Sequence, residues 1–302
     1  MKSKPWLFLL VFMMTTVSYA QDNAPQSVLP DCQKSPPANS QQSNVWETVL
    51  QSAQEHDRER YDYALEQGVQ IIPTADGRTY GLLWLPESQN AEPPPMIVTL
   101  HGHASYAVDE FFLWHEYAVE RGYGIYALQW WAGLDPDHDL QDEYLLPHQM
   151  YPMMTQILCD VGARPGTALL HGFSRGSANI YGVEVFDRHT GNNFFAAIIA
   201  NAGSSETDFP PTQEIDNGTF GAQPFADTHW ILVCGGKDPA PDRSGCPAMQ
   251  RTQTWLEGYG ATIDLFIQDE QADHGVFHRN PQHVNEALDV FANLQDHFLI
   301  TR

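Results

Sequence analysis

The chain has 302 residues, enough for one large domain with a sizeable core, and its 38 acidic residues outnumber its 15 basic residues. The formal net charge is −23. So large a surplus of negative charge repels nucleic acids and anionic membranes, and we expect neither as a partner.

The first twenty residues have the pattern of a secretory signal peptide. Lys2 and Lys4 precede an apolar run at positions 6–17, and the small residues at positions 18 and 20 resemble an A-x-A cleavage site. The run is shorter than the roughly 20 apolar residues of a membrane span. We therefore expect export to the periplasm or the medium, rather than an ordinary N-terminal helix. Removal of this segment leaves 13 basic residues against 38 acidic ones, a net charge of −25.

The start of the mature chain changes character twice. Residues 21–43 are rich in Gln, Asn, Ser and Pro, which predicts a flexible tether. A single domain is expected over residues 44–302, beginning with a helix at 45–67, where apolar side chains recur at three- and four-residue steps. Two short apolar segments, 69–72 and 80–85, predict a hairpin.

From residue 96 onward, apolar strands alternate with helical patterns. The predicted strands are 96–100, 124–128, 167–170, 195–200, 230–234 and 262–267. The predicted helices include 110–121, 177–188, 248–257 and 282–298. This α/β alternation implies a mostly parallel sheet of about eight strands, the hairpin included, with helices on both faces. The stretch 204–227 interrupts the rhythm and is interpreted as a cap or lid insertion.

A G-x-S-x-G motif occupies residues 172–176, between a predicted strand and a predicted helix. The match alone is a weak signal, since glycine is common enough for it to arise by chance. Its position is more specific, because a serine at a sharp strand-to-helix turn exposes its hydroxyl. We assign Ser174 as the candidate nucleophile.

A serine hydroxyl becomes an effective nucleophile when a base takes its proton and a carboxylate orients that base. Asp238 and His274 each follow a late predicted strand, in the chain order Ser, Asp, His. We assign them as the acid and the base. A turn aspartate and a surface histidine are the alternative interpretations, and Asp242 and His278 are the next candidates for the two roles.

Acyl transfer also needs hydrogen-bond donors for the oxyanion that develops on the substrate. The backbone N–H of Arg175, directly after the nucleophile, is one candidate. The His101-Gly102-His103 turn follows the strand 96–100, and we assign the second donor to the His103 N–H. The alternative is that His101 and His103 form a metal-binding pair.

Trp130 and Trp131 follow the strand 124–128, at the edge of the sheet where the site is expected. Their rings are candidates for the wall of an acyl or aryl pocket. Plain core packing is the alternative for at least one of them.

Metal and cofactor signals are weak. The acidic loop 135–143 suggests calcium, but the glycine and the glutamate that an EF-hand requires are replaced by Leu140 and Leu146. The four cysteines include no CxxC pair of the kind that binds zinc. We therefore expect no metal and no cofactor.

Four cysteines in an exported chain predict disulfide bonds. Proximity in the sequence favours Cys234 with Cys246, which leaves Cys32 and Cys159. A buried, unpaired Cys234 is the alternative.

The HG turn at 101–102, the G-x-S-x-G motif, Asp238 in its G-x-x-D sequence and His274 before Gly275 resemble the α/β-hydrolase superfamily over residues 80–298. Within it, the chain is similar to secreted esterases related to polyhydroxybutyrate depolymerases and feruloyl esterases. The resemblance implies a carboxylic-ester hydrolase that acts on a small-molecule or polymer ester. A serine peptidase on the same fold and a non-catalytic binding protein are the alternatives.

Overall fold

The computed structural model describes Cys32 and residues 45–87, 92–135, 137 and 140–300. The predicted signal peptide lies outside the described residues, as does the predicted tether apart from Cys32. The strands are β1 (Gln70–Pro73), β2 (Tyr80–Trp84), β3 (Met96–Leu100), β4 (Gly124–Leu128), β5 (Ala168–Phe173), β6 (Phe195–Asn201), β7 (His229–Gly235) and β8 (Thr262–Asp269). The helices are α1 (Val45–His56), α2 (Arg58–Glu66), α3 (Ala107–Arg121), α4 (Pro147–Asp160), α5 (Arg175–Thr190), α6 (Pro210–Asp216), α7 (Cys246–Gly258) and α8 (Pro281–Ile300).

The eight strands of the described residues form one sheet in the order β1-β2-β4-β3-β5-β6-β7-β8. The first two pairings are antiparallel, and the remaining strands run parallel. Every residue of β3, β4 and β6 is buried, as expected where helices cover both faces of a parallel sheet. The predicted sheet of eight strands is confirmed.

The direction of the strand order reverses around β3, which fixes the helix layers. Because parallel crossovers are right-handed, α3 lies on one face of the sheet and α4, α5 and α7 lie on the other. Helix α8 joins the face of α3, where Asp289 pairs with Arg121 at 2.7 Å and Phe291 packs on Tyr123. The reversal places the carboxyl ends of β3 and β5 side by side, the position at which open α/β sheets bind ligands.

Two helical features differ from the sequence prediction. The helix expected over 45–67 is broken at Asp57, whose non-helical backbone precedes a second helix and whose carboxylate accepts the Arg60 N–H at 2.9 Å. An N-cap of this kind satisfies a backbone donor that the first turn of a helix leaves unpaired. Helix α4 was not indicated by the sequence pattern, because Pro147 and Pro152 resemble loop residues; Pro147 occupies the first position of the helix, where proline is tolerated.

Two disulfide bonds cross-link the chain. The predicted bond between Cys234 and Cys246 is confirmed, with the Cα atoms 5.0 Å apart. The second bond joins Cys32 to Cys159 on α4, across 127 residues of sequence. In the chain-entropy model, the bond between Cys234 and Cys246 stabilises the folded state by about 3 kcal/mol, and the bond between Cys32 and Cys159, which closes a longer loop, by about 5 kcal/mol.

A pair of buried carboxyl groups lies on α5. Among the residues that the structure describes, neither carboxyl oxygen of Glu184 has a hydrogen-bond partner, whereas Asp187 accepts the Tyr151 hydroxyl at 2.8 Å and the Phe195 N–H at 3.2 Å. Burial raises the pKa of Glu184 well above its usual range, and the charge of Asp187 adds to that rise. Burial also raises the pKa of Asp187, to about 6, against the opposing hydrogen bonds. The folded chain therefore holds protons that the unfolded chain releases.

This pair makes stability depend on pH. Its contribution is present in full below about pH 4, where both states are protonated, and declines as the pH rises through the folded-state pKa values. We expect Glu184→Gln, which keeps a neutral group in place, to raise the Tm at pH 8 and to change it little at pH 4.5. Thermal unfolding followed by circular dichroism between these pH values measures the effect, with the exposed Glu66→Gln as the matched control. A Glu184→Gln curve parallel to that of the wild type would contradict the prediction.

Candidate active site

Ser174 stands between β5 and α5 in a strained backbone conformation, with φ 52° and ψ −115°. L-residues other than glycine rarely adopt positive φ, so the surrounding structure must hold the turn. The Ser174 N–H donates to the Asn201 carbonyl at 2.8 Å, which ties the turn to the end of β6. A Cβ at Gly176 would lie 2.5 Å from the carbonyl oxygens of Leu100 and His101, so only glycine lets α5 start this close to β3.

The structure brings the three predicted residues together in one hydrogen-bonded chain. His274 Nε2 lies 2.8 Å from Ser174 Oγ, and His274 Nδ1 lies 2.6 Å from Asp238 Oδ2. Ser174 and His274 are 100 residues apart in sequence, and both loops meet because their strands end at the same edge of the sheet. A base in contact with the hydroxyl on one side and with a carboxylate on the other fits nucleophilic catalysis.

The Asp238 carboxylate is held in place by its own loop. Its side chain is almost fully buried, and Oδ1 accepts the Ala240 N–H at 2.8 Å and the Ser244 hydroxyl at 2.9 Å. Oδ2 is left for His274. The disulfide between Cys234 and Cys246 closes this loop, so it restrains the carboxylate as well as the fold.

The other two candidates for acid and base lie elsewhere. The half-buried His278 packs its ring against Trp114 and His171, at centroid distances of 5.0 and 5.3 Å. Burial, helped by the neighbouring His171, lowers the pKa of His278 to about 3. Asp242 is exposed on the surface of the loop. Of the four candidates, Asp238 and His274 are the two that connect to Ser174.

The candidate oxyanion loop reaches the nucleophile. A Cβ at Gly102 would lie 3.6 Å from Ser174 Cβ, so the loop backbone passes close to the hydroxyl. His103 lines the same cavity as Ser174, and Ala104 after it has a positive φ of 41°. Arg175 is the first residue of α5, and the first N–H groups of a helix have no acceptor within that helix. The two residues that carry the predicted donors therefore border the cavity that contains Ser174, and their role as donors stays a prediction.

The metal interpretation of His101 and His103 finds no geometric support. The His101 ring is buried, with Nδ1 2.8 Å from the Gly102 carbonyl and Nε2 3.3 Å from the Trp130 N–H, whereas His103 is exposed. No group of three or more His, Cys, Asp or Glu residues in the described part of the chain is placed to hold a metal ion. Positions 136, 138 and 139 of the acidic loop lie outside that part.

The structure corrects the prediction that Trp130 and Trp131 line the pocket. Their exposed fractions are 1% and 0%, and the cavity beside Ser174 is walled by other described residues. The Trp130 indole donates to the His101 carbonyl at 2.9 Å, and the Trp131 indole donates to the Glu143 carboxylate at 3.2 Å. The physical reason is the segment 140–146, in which Tyr144 packs on both indole rings and pairs with the Trp131 backbone.

The cavity beside Ser174 has a volume of about 730 Å³, within the range of small-molecule sites. Its wall combines charged and polar side chains with apolar ones. Besides Ser174, Asp238 and His274, the former include Gln141, Arg175, Ser204, Glu206, Asp208 and Arg243, and the latter include Ala178, Ala202, Pro210, Pro239 and Ala240. Phe209 is its single large aromatic residue apart from histidine among those described. Part of the stretch 204–227 borders the cavity, and its role as a lid stays a prediction.

Two further contributors to the site escaped the sequence prediction. Gly203 lies directly under the nucleophile turn, where a Cβ would overlap the Ser174 carbonyl oxygen and lie 2.7 Å from the Ser177 side chain. Asn201, two residues earlier, anchors the Ser174 N–H. The only local signal was an Ala-Gly pair after a predicted strand, and such a pair has many uses in proteins.

No described helix is long and apolar enough to cross a membrane.

Comparison with known proteins identifies the fold. The sequence matches no protein-family model and no curated protein sequence. An esterase from Rhizomucor miehei aligns with a TM-score of 0.59 at 12% identity, over 89% of this chain and 100% of its own. An esterase from Pyrobaculum calidifontis aligns with a TM-score of 0.56 at 12% identity, over 85% of this chain and 99% of its own. A bacterial heroin esterase aligns with a TM-score of 0.54 at 15% identity, over 84% of this chain and 94% of its own. These likenesses are to the α/β-hydrolase fold, which is the fold of this chain.

Proposed function

We propose that this protein is an exported serine hydrolase that cleaves carboxylic esters through an acyl-enzyme on Ser174. The observation that carries the proposal is the unbroken chain of hydrogen bonds from Ser174 through His274 to Asp238. The esterases among the structural neighbours supply the reason to choose esters, since the same three groups serve amides in serine peptidases.

In the proposed reaction, Ser174 Oγ adds to the ester carbonyl carbon while its proton passes to His274 Nε2. The carbonyl electron pair moves onto oxygen, where the N–H groups of His103 and Arg175 stabilise the negative charge. The tetrahedral intermediate collapses, and the leaving alkoxide takes the proton from His274 as an alcohol. Water then repeats the sequence on the acyl-enzyme and releases the acid and free Ser174. Asp238 orients the imidazole and stabilises its charged form. The proposed cycle uses no metal or cofactor.

The two disulfide bonds support the export proposal, because such bonds persist in oxidising compartments. The predicted signal peptide would direct the protein to the periplasm or the medium. N-terminal sequencing of the mature protein tests this proposal, and a chain that still begins at Met1 would contradict it.

We expect short acyl esters to be the better substrates. Charged side chains such as Arg175, Glu206 and Asp208 lie in the cavity wall, and a methylene placed against them gains less than the roughly 0.8 kcal/mol of a CH₂ buried among apolar atoms. The measurement is kcat/KM for the acetyl, butyryl, octanoyl, palmitoyl and feruloyl esters of one alcohol, with peptide anilides beside them. We expect kcat/KM for the acetyl or butyryl ester to be about 100-fold higher than for the palmitoyl ester. The difference from the peptide anilides is expected to be larger still.

Each outcome of this panel discriminates between the candidate functions. Preference for the feruloyl ester would support the finer resemblance to feruloyl esterases. Preference for palmitoyl would overturn the expectation drawn from the cavity wall, and faster cleavage of anilides would favour the peptidase. If the protein neither cleaved any of these substrates nor reacted with a fluorophosphonate, the result would favour the alternative of a non-catalytic binding protein.

A further inference from the structure

Tyr144 occupies a position behind the nucleophile that the proposed reaction does not yet use. It lies in the segment between β4 and α4, where it forms an antiparallel bridge with Trp131. The side chain is buried, with an exposed fraction of 4%, and its ring packs on Trp130 at a centroid distance of 4.9 Å. Tyr144 is therefore anchored from the core side while its other side faces the candidate oxyanion loop.

The hydroxyl of Tyr144 holds that loop. It accepts the Ala104 N–H at 3.0 Å, and Ala104 is the residue with φ 41° directly after His103. A positive φ is unfavourable for alanine, so the conformation persists only where surrounding contacts impose it. The Ala104 N–H belongs to the peptide group that follows His103, so the Tyr144 hydroxyl restrains the loop one peptide beyond the candidate donor. The peptide group that carries the His103 N–H is itself held by the 2.8 Å contact between the Gly102 carbonyl and His101 Nδ1.

The ring of Tyr144 packs against the side chain of the other donor residue. The guanidinium carbon of Arg175 lies 3.6 Å from the centre of the ring, and the same guanidinium donates to the Gln141 side chain. Stacking of a guanidinium on a tyrosine ring is favourable and restrains the arginine. The backbone N–H of Arg175, at the first position of α5, is the donor assigned from the sequence.

From these contacts we infer that Tyr144 is a positioning residue for the oxyanion site: its hydroxyl restrains the loop that carries His103, through the Ala104 N–H, and its ring restrains the Arg175 side chain. Oxyanion donors are effective only when they are held within hydrogen-bond distance of the place where the charge develops. Tyr144 contacts both segments that carry the candidate donors, the loop after β3 and the first residue of α5. The inference rests on the proposed function, because it assigns a role within that reaction.

The test compares Tyr144→Phe with the wild type. The phenylalanine keeps the ring and its stacking but loses the hydroxyl, so the Ala104 N–H loses its acceptor. We expect kcat to fall about 10-fold, while KM changes less than 2-fold and the Tm little, because the donors act on the transition state rather than on the bound ester. Tyr63→Phe is the matched control, since it removes a hydroxyl 2.8 Å from His115 Nδ1, away from the site.

A readout specific to the oxyanion separates positioning from general support of the fold. A trifluoromethyl ketone adds to a catalytic serine and carries the oxyanion in its adduct, so its Ki is expected to rise by about the same factor as kcat falls. Tyr144→Leu, which also loses the stacking on Arg175, is expected to show a larger rise. An unchanged kcat and Ki in Tyr144→Phe would overturn the inference, as would a lower kcat with an unchanged Ki. A wild type that neither turns over esters nor reacts with a fluorophosphonate would instead overturn the proposed function.

Discussion

Replacing Ser174 by alanine is expected to lower kcat by about 10⁴-fold or more, because the substitution removes the atom that forms the acyl bond. The three groups act as a unit, so the loss of the nucleophile leaves only the contribution of substrate binding and oxyanion stabilisation. The fold is expected to persist, since the strain of the turn at φ 52° is imposed by contacts of the backbone and not by the hydroxyl. Steady-state kinetics with an acetyl ester measures the loss.

Covalent labelling provides the independent arm of this experiment. A fluorophosphonate is expected to modify the wild type once, at Ser174, and to leave Ser174→Ala unlabelled. Ser205→Ala is the matched control, because the Ser205 hydroxyl contacts Thr252 rather than His274. Labelling that survives in Ser174→Ala, or that disappears in Ser205→Ala, would show that the nucleophile has been misassigned.

Replacing His274 by alanine is expected to lower kcat by about 10³-fold or more with little change in Tm. The ring is the hydrogen-bond partner of Ser174, so its removal leaves the hydroxyl without a base. Its side chain is 31% exposed, which limits the packing that is lost.

His278 offers a sharp contrast only four residues along the chain. Its ring packs among Trp114, His171 and Phe277, so His278→Ala is expected to lower the Tm through the cavity that it leaves. At a temperature where this variant remains folded, kcat is expected to stay within about threefold of the wild type. The opposite pattern, with an active His274→Ala and a folded but inactive His278→Ala, would move the role of base to His278.

Much of the architecture was readable from the sequence because strands and helices are marked by local patterns. The bounds of β3 and β4 agree residue for residue with the predicted strands, since a short apolar run flanked by turn residues is a local signal. The break of the first helix at Asp57 was not marked in this way. Many aspartates lie within helices, and whether one caps a new helix depends on how the two halves pack.

The assigned chemistry likewise began from local signals. Ser174 was identified by its place between a strand and a helix, and Asp238 and His274 by their places after late strands. These positions follow from the sequence because parallel strands all end at one edge of the sheet. Their catalytic roles remain proposals that the variants above test.

Only the tertiary structure decided which side chains meet across that edge. It connected His274 rather than His278 to Ser174, and it turned Trp130 and Trp131 away from the cavity. It also brought Tyr144 behind the oxyanion loop and Gly203 under the nucleophile turn. The reason is that sequence patterns report the preference of a segment for helix or strand, with a range of a few residues. Contacts between residues 30 to 100 positions apart depend on strand order, crossover direction and the path of the loops, which are properties of the packed chain as a whole.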